Sequence, residues 1–147
     1  MTDLEKLKSW LETYPGMDRL QSVQIDYLPQ IFENGSICPS GLTELSRTED
    51  LLGNVVVNNQ YCFGLYYVLA ADEDENDLAA SNAQWVLDLQ KWVQQQSVQK
   101  LGPTFGDKPG SERATAHDGV LYAKNEDGSA TYLVRLTCNF TKIYEVI

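Results

Sequence analysis

Residues 82–100 read NAQWVLDLQKWVQQQSVQK, and this stretch decides the fold. Its large apolar side chains, Trp85, Val86, Leu89, Trp92 and Val93, recur at i, i+1, i+4, i+7 and i+8. A helix puts all five on one stripe and leaves Asp88, Gln90, Lys91, Gln94 and Gln95 for the other side. Ser81 with Gln84 three residues later predicts a capping box at its start, preceded by the acidic run 72–77, DEDEND, at the positive end of the helix dipole. Gly102-Pro103 predicts its end. Two tryptophans on one face require a broad apolar surface opposite them, and the strand-like segments 54–71 and 130–146 supply it. The expected fold is α+β: a mostly antiparallel sheet, with mixed pairing left open, carrying an N-terminal helix and this long amphipathic helix on one face.

Working outward, residues 54–71 alternate Val55, Val57, Tyr61, Phe63, Leu65, Tyr67 and Leu69 with Val56, Cys62, Tyr66 and Val68. A strand that is apolar on one face and half apolar on the other is central or covered on both sides. In a domain with few helices the second cover is expected from another subunit. Residues 3–14 form a second amphipathic pattern, capped by Thr2 or Asp3 and stopped by Pro15-Gly16. Asn34-Gly35 predicts a type I′ hairpin turn between IDYLPQIF and SICPS, with the prolines confining that pair to an edge or a bulge. Residues 41–52 admit two readings, a strand through TELSRT or a turn of helix through RTEDLLG ended by Gly53. After a long loop over 102–118, a hairpin of 120–124 and 130–140 around residues 125–129 is expected, with Tyr132, Val134, Leu136, Cys138 and Phe140 on its buried face. There is no repeat and no linker, so residues 1–147 are expected to form one domain.

Composition narrows the function classes. With 43% hydrophobic and 10% aromatic residues in 147, the chain suits a folded globule. A formal net charge of −10, with the eleven Lys and Arg scattered, argues against nucleic-acid backbone binding. Cys38, Cys62 and Cys138 form no CxxC, and His117 is the single histidine, so a zinc site is not expected. Alternation places Cys138 on a buried face as a reduced thiol. No signal peptide and no membrane span are read from the chain, so the two Asn-x-Ser/Thr patterns carry no weight and the cytoplasm is expected.

The motifs that invite chemistry each fail at a specific position. Asp72, Asp74 and Asn76 alternate like calcium-loop ligands, but the sixth position is Asp77 rather than Gly and the twelfth is Ala83 rather than Glu. The loop GPTFGDKPG lacks the spacing and the Gly-Lys-Ser/Thr ending of a phosphate loop. His117-Asp118 has no nucleophile elbow to serve, and a solvent-exposed turn is the expected setting. Trp85 and Trp92 are read as core packing ahead of a ligand pocket. No catalytic residue, metal ligand or cofactor is expected.

Several longer strings are similar to one family. WLETYPG, FENGS, PSGLTELSRTEDLLGNV, YCFGLYYVL, QWVLDLQKWVQQQS, PTFGD and LYAKNEDGSATYLVRLTCNFTKIYEV together resemble the tail terminator (tail-completion) proteins of long-tailed bacteriophages and prophages, in the group carried by Firmicutes. The resemblance covers most of residues 10–146 and rests on no single diagnostic motif. It implies a small α+β subunit that assembles with copies of itself, as a hexameric ring, on the end of the tail tube. Such a ring ends tube polymerisation and offers a docking surface to the head–tail connector, without catalysis or cofactor. The implied partners are further copies, the tail-tube protein and the connector, with no membrane and no specific nucleic acid. The implied locations are the host cytoplasm during assembly and the virion tail. On this reading Cys62, Tyr66 and Val68 are candidates for subunit contact. Phe105, Asp107, Lys108 and Arg113, in the loop after Gly102, are candidates for contact with tube or connector. A head–tail connector or other minor tail protein is the near alternative. The distant alternative is a small-molecule-binding or enzymatic α+β domain, with a pocket between helix and sheet built on Trp85, Trp92 and His117.

Overall fold

The stretch around Trp85 is helical, and the helix extends beyond its apolar stripe. It spans Asn76–Val98 (α2) in a computed structural model that describes residues 1–26, 33–70 and 76–146. Leu78, Ala79 and Ala80 are strong helix formers and carry the helix back past the expected cap. Ser81 therefore lies exposed inside the helix, and Gln84 donates instead to Asp88 one turn on, at 2.8 Å. At the other end Lys100 takes the left-handed conformation (φ 59°), and Leu101 N–H reaches back to the Gln96 carbonyl at 2.9 Å. This Schellman-type cap ends the helix ahead of Gly102-Pro103. Of the acidic run 72–77, residues 72–75 lie outside those described, and Asn76 and Asp77 open the helix itself.

The first helix, α1, spans Asp3–Leu11, and the Thr2 side chain caps it by accepting from Glu5 N–H at 3.2 Å. Between and after the helices run β1 (Ser22–Ile25), β2 (Asn34–Glu49), β3 (Val55–Ala70), β4 (Arg113–Lys124) and β5 (Ser129–Tyr144), in the sheet order β1-β2-β3-β5-β4. The sheet is mixed. β1 and β2 are parallel, while every other neighbouring pair is antiparallel.

That parallel pair corrects the hairpin expected at Asn34-Gly35. Both residues lie within β2, opposite Val68 and Tyr67 of β3. Gly35 is needed for close approach and not for positive φ: a Cβ there would lie 3.0 Å from Cδ1 of the Tyr67 ring. Asn34 accepts the Ser22 hydroxyl at 2.6 Å, which holds β1 alongside. SICPS thus pairs with β3; of its expected partner IDYLPQIF, residues 27–32 lie outside those described. The ambiguous segment 41–52 is resolved as strand up to Glu49, followed by a tight turn with Gly53 at φ 89°. Strand β4 begins at Arg113, earlier than expected, so the loop ends at Glu112.

The odd face of β3, with Phe63, Leu65, Tyr67 and Leu69, joins Tyr132, Val134, Leu136, Cys138 and Phe140 of β5 in one core beneath both helices. Leu7, Leu11, Val86, Leu89 and Val93 close it from the helical side. Aromatic rings align the two helices: Trp10 stacks on Trp92 with centroids 5.1 Å apart, and Trp85 meets Tyr67 edge-on at 5.0 Å. Trp85 Nε1–H donates to the Gly16 carbonyl at 2.9 Å, and the Tyr14 hydroxyl donates to the Trp85 carbonyl at 3.1 Å. The start of α2 is fastened by Asn82, which is fully buried. Its amide donates to the Ala70 carbonyl at 2.8 Å and its oxygen accepts from Arg19 at 2.5 Å.

Burial also sets the alkaline limit of the fold. Burial pushes the Cys138 thiol from 9.0 up to about 12, helped by Glu112. Burial moves the Tyr14 hydroxyl from 10.0 to about 12, helped by Asp88. For Tyr61, burial and the hydrogen bond to Asp3 do the same. All three keep their protons in the folded chain after the unfolded chain has begun to lose them. Their stabilisation is therefore complete below the unfolded values of 9.0 and 10.0 and is lost as pH rises through about 12. Thermal melts from neutral pH upward are expected to show a flat midpoint at first and a progressive fall above about pH 9.

Candidate functional site

The two outer edges of the sheet are finished differently, and that difference organises the surface. The start of β4, with Glu112 just before it, has its backbone met by side chains of α2 and of Lys100 just beyond that helix. Ala114 N–H donates to Ser97 Oγ at 3.0 Å, Gln90 donates to the Ala116 carbonyl at 3.4 Å, and Lys100 Nζ donates to the Glu112 carbonyl at 3.2 Å. Gly119 makes room for this contact, since a Cβ there would sit 2.3 Å from Gln90 Oε1. Where β4 ends, the loop takes over: Asp107 N–H donates to the Thr141 carbonyl at 2.7 Å, and the Asp107 carboxylate accepts Ile143 N–H at 2.7 Å. These short, specific contacts close the edge as far as Ala116, whereas Val120, Leu121 and Tyr122 further along β4 are exposed.

The β2 edge is open. β1 pairs with β2 only over Asn34–Ile37, and from Cys38 to Glu49 the outer edge has no strand partner among the described residues. Here β2, β3 and the end of β5 extend as a three-stranded arm, with Val55 opposite both Glu49 and Tyr144. Pro39, two register shifts and the exposed Glu44–Arg47 pair (2.7 Å) limit indiscriminate pairing along this edge. Leu42 and Leu45 are exposed on it. At the tip, Asp50 gathers the turn: its carboxylate accepts from the backbone N–H of Leu52 and Asn54 and from the Asn54 side chain, at 2.9, 2.9 and 3.0 Å. These bonds, led by that from the Asn54 backbone, hold the Asp50 carboxyl below its ordinary range. The ordered turn presents Leu51 and Leu52 to solvent at 106% and 80% relative exposure.

The candidate residues separate on this geometry. Cys62 and Tyr66 lie on the sheet face opposite the helices, half-buried, with Tyr66 edge-on to Tyr122 at 5.5 Å. They border a shallow depression of about 280 Å³ that also meets His117, Asp118 and Arg135. In it His117 lies 3.3 Å from the Thr137 hydroxyl, and Asp118 pairs with Arg135 at 3.4 Å. Val68 shares their strand face by alternation but is fully buried, so it offers no contact surface. Phe105 is likewise a core residue, set against Tyr61 and Phe140 with centroids 5.4 and 5.9 Å away. Asp107 is held by Ile143 N–H and by Lys142 at 3.7 Å. Lys108 is exposed, and Arg113 is exposed as the first residue of β4 and not as part of the loop.

The loop that carries Phe105, Asp107 and Lys108 is fastened from beneath. The buried Glu112 carboxylate accepts Phe105 N–H at 2.7 Å and Gly106 N–H at 3.4 Å. Under α2, where the small-molecule reading places a pocket, Trp85, Leu89 and Val93 fill the space, and the groove that remains beside β4 is lined by neither tryptophan nor His117. Sequence reasoning passed over Leu51 and Leu52. The available signal was a pair of leucines next to a glycine with no apolar periodicity around them. No protein-family model matches the chain, and no curated protein matches it.

Proposed function

We propose that this chain is the subunit of a ring that caps the tail tube of a long-tailed bacteriophage or prophage, ending tube polymerisation and offering the surface on which the head–tail connector docks. The observation that carries the reading is the arm: a three-stranded extension with one open edge, exposed apolar residues along it and an ordered tip. An isolated domain gains nothing from exposing leucines on a long edge strand, whereas a subunit covers them with its neighbour. The α+β architecture and the strings that resemble tail terminator proteins support the same reading. Of the residues nominated for contact with tube or connector, Asp107, Lys108 and Arg113 remain on the surface, and Lys108 would face the tube or the connector. Cys62 and Tyr66 remain available to a neighbouring copy. The ring would form in the host cytoplasm and remain in the virion tail.

The test is tube polymerisation. Tail-tube protein assembled with an excess of this chain is expected to give short tubes with one capped end. Tubes of unaltered length and bare ends would contradict the proposal.

A further inference from the structure

On the side of the molecule bearing the closed edge, a groove of about 560 Å³ runs between α2 and β4. Leu87, Val98, Ala114 and Ala116 give it an apolar floor and rim, and Lys91, Lys100 and Arg113 stand around it. No carboxylate among the described residues lines it, although the chain carries a net charge of −10. Among the described residues, none of these three cations is in an ion pair. Leu87 and Val98 are exposed large apolar residues, at 49% and 75%.

The arm tip is its chemical counterpart. Two leucines project from a turn fixed by Asp50, so little conformational entropy remains to be lost when they are buried. Glu49 and Asp50 precede them in the chain, Glu145 precedes the Val146 that bonds to the turn, and no Lys or Arg lies between Thr48 and Asn54. Val146 adjoins the turn: its N–H donates to the Asn54 side chain at 2.9 Å, and its side chain lies over Gly53.

We infer that the Leu51-Leu52 tip of one copy docks in the α2–β4 groove of the next. The leucines cover Leu87, Val98, Ala114 and Ala116, and the acidic collar of the tip meets Lys91, Lys100 and Arg113. Tip and groove are different surfaces of the same chain, so the contact is heterologous, the kind that closes into a ring or runs on as a filament. This rests on the ring reading and names its contact. Its electrostatic part predicts association that weakens as salt rises.

Two variants test it together, with circular dichroism confirming that each is folded. L51S/L52S removes the plug and K91E/R113E reverses the socket; all four side chains are exposed. Each alone is expected to weaken self-association by roughly 100-fold or more, as measured by sedimentation velocity. Mixed in equal amounts, they are expected to form dimers and go no further, because the pair retains one intact plug and one intact socket. A wild-type chain that assembles while both variants assemble equally well overturns the plug and socket but leaves the ring. A mixture that gains no dimers when each variant alone is impaired overturns the heterologous contact. A wild-type chain that is monomeric at every concentration, alone and with tubes, overturns both.

Discussion

Gly106→Ala is expected to lower the stability of the folded chain by about 3 kcal/mol, the upper end of what overpacking a close contact costs. A Cβ at this position would sit 2.2 Å from the Thr141 carbonyl oxygen and 3.0 Å from Thr141 N. Both are backbone atoms of β5, and the strand cannot withdraw: Thr141 is in register with Asn58 and accepts Asp107 N–H, and its hydroxyl donates to Asn58 at 2.8 Å. The loop must therefore lift. Lifting takes Phe105 out of its contacts with Tyr61 and Phe140 and leaves the buried Glu112 carboxylate without its two N–H donors. Urea denaturation measures the loss, and hydrogen exchange at Asp107 and Ile143 shows whether the edge of β5 has opened. Gly110→Ala is the control, because nothing lies within 4 Å of a Cβ there; its effect is expected to stay within about 0.5 kcal/mol.

Leu89→Ala is the second large effect, expected at about 3–5 kcal/mol. Leu89 has no exposed surface and sits mid-way along the α2 stripe, between Val86 and Val93, which are equally buried. The cavity left behind cannot close readily, since Trp85 and Trp92 on either side are fixed by Tyr67, Tyr14 and Trp10. Domains of this size are stable by only ~5–15 kcal/mol in total, so a chain near the lower end would be partly unfolded at 37 °C. Leu87→Ala, two residues away on the same helix, is expected to cost less than about 0.5 kcal/mol, because Leu87 is 49% exposed. Thermal melts of the pair measure directly which face of α2 holds the fold together.

How far the sequence foretells the structure depends on the range over which each signal acts. The α2 stripe was legible because its spacing is local and all five apolar residues face one sheet. Its start was not, because the capping pattern at Ser81 lies inside a helix that Leu78, Ala79 and Ala80 extend back to Asn76, and Asn82 is held by the remote Ala70 and Arg19 and not by a cap. Asn34-Gly35 carries a true turn signal, overridden by a tertiary demand, the space taken by the Tyr67 ring. Residues 41–49 stayed ambiguous because a strand exposed on both faces has no apolar alternation to read. The same limit applied to the candidate surfaces. Alternation places Val68 with Cys62 and Tyr66, yet cannot tell that the sheet is covered at that end. Phe105 and Asp107 look like loop residues until Glu112 and Gly106 are seen to bind the loop down. The leucine pair at 51–52 stood in plain view, but only its full exposure gives it meaning.

The central claim is that this chain is a ring subunit, and its most direct test is mass in solution together with the shape of what has that mass. Native mass spectrometry over rising concentration, with negative-stain imaging of the same samples alone and with tail tubes, is expected to show a closed ring of six copies, free or seated on tube ends. A single species at 16.5 kDa throughout, with nothing added to the tubes, would contradict it.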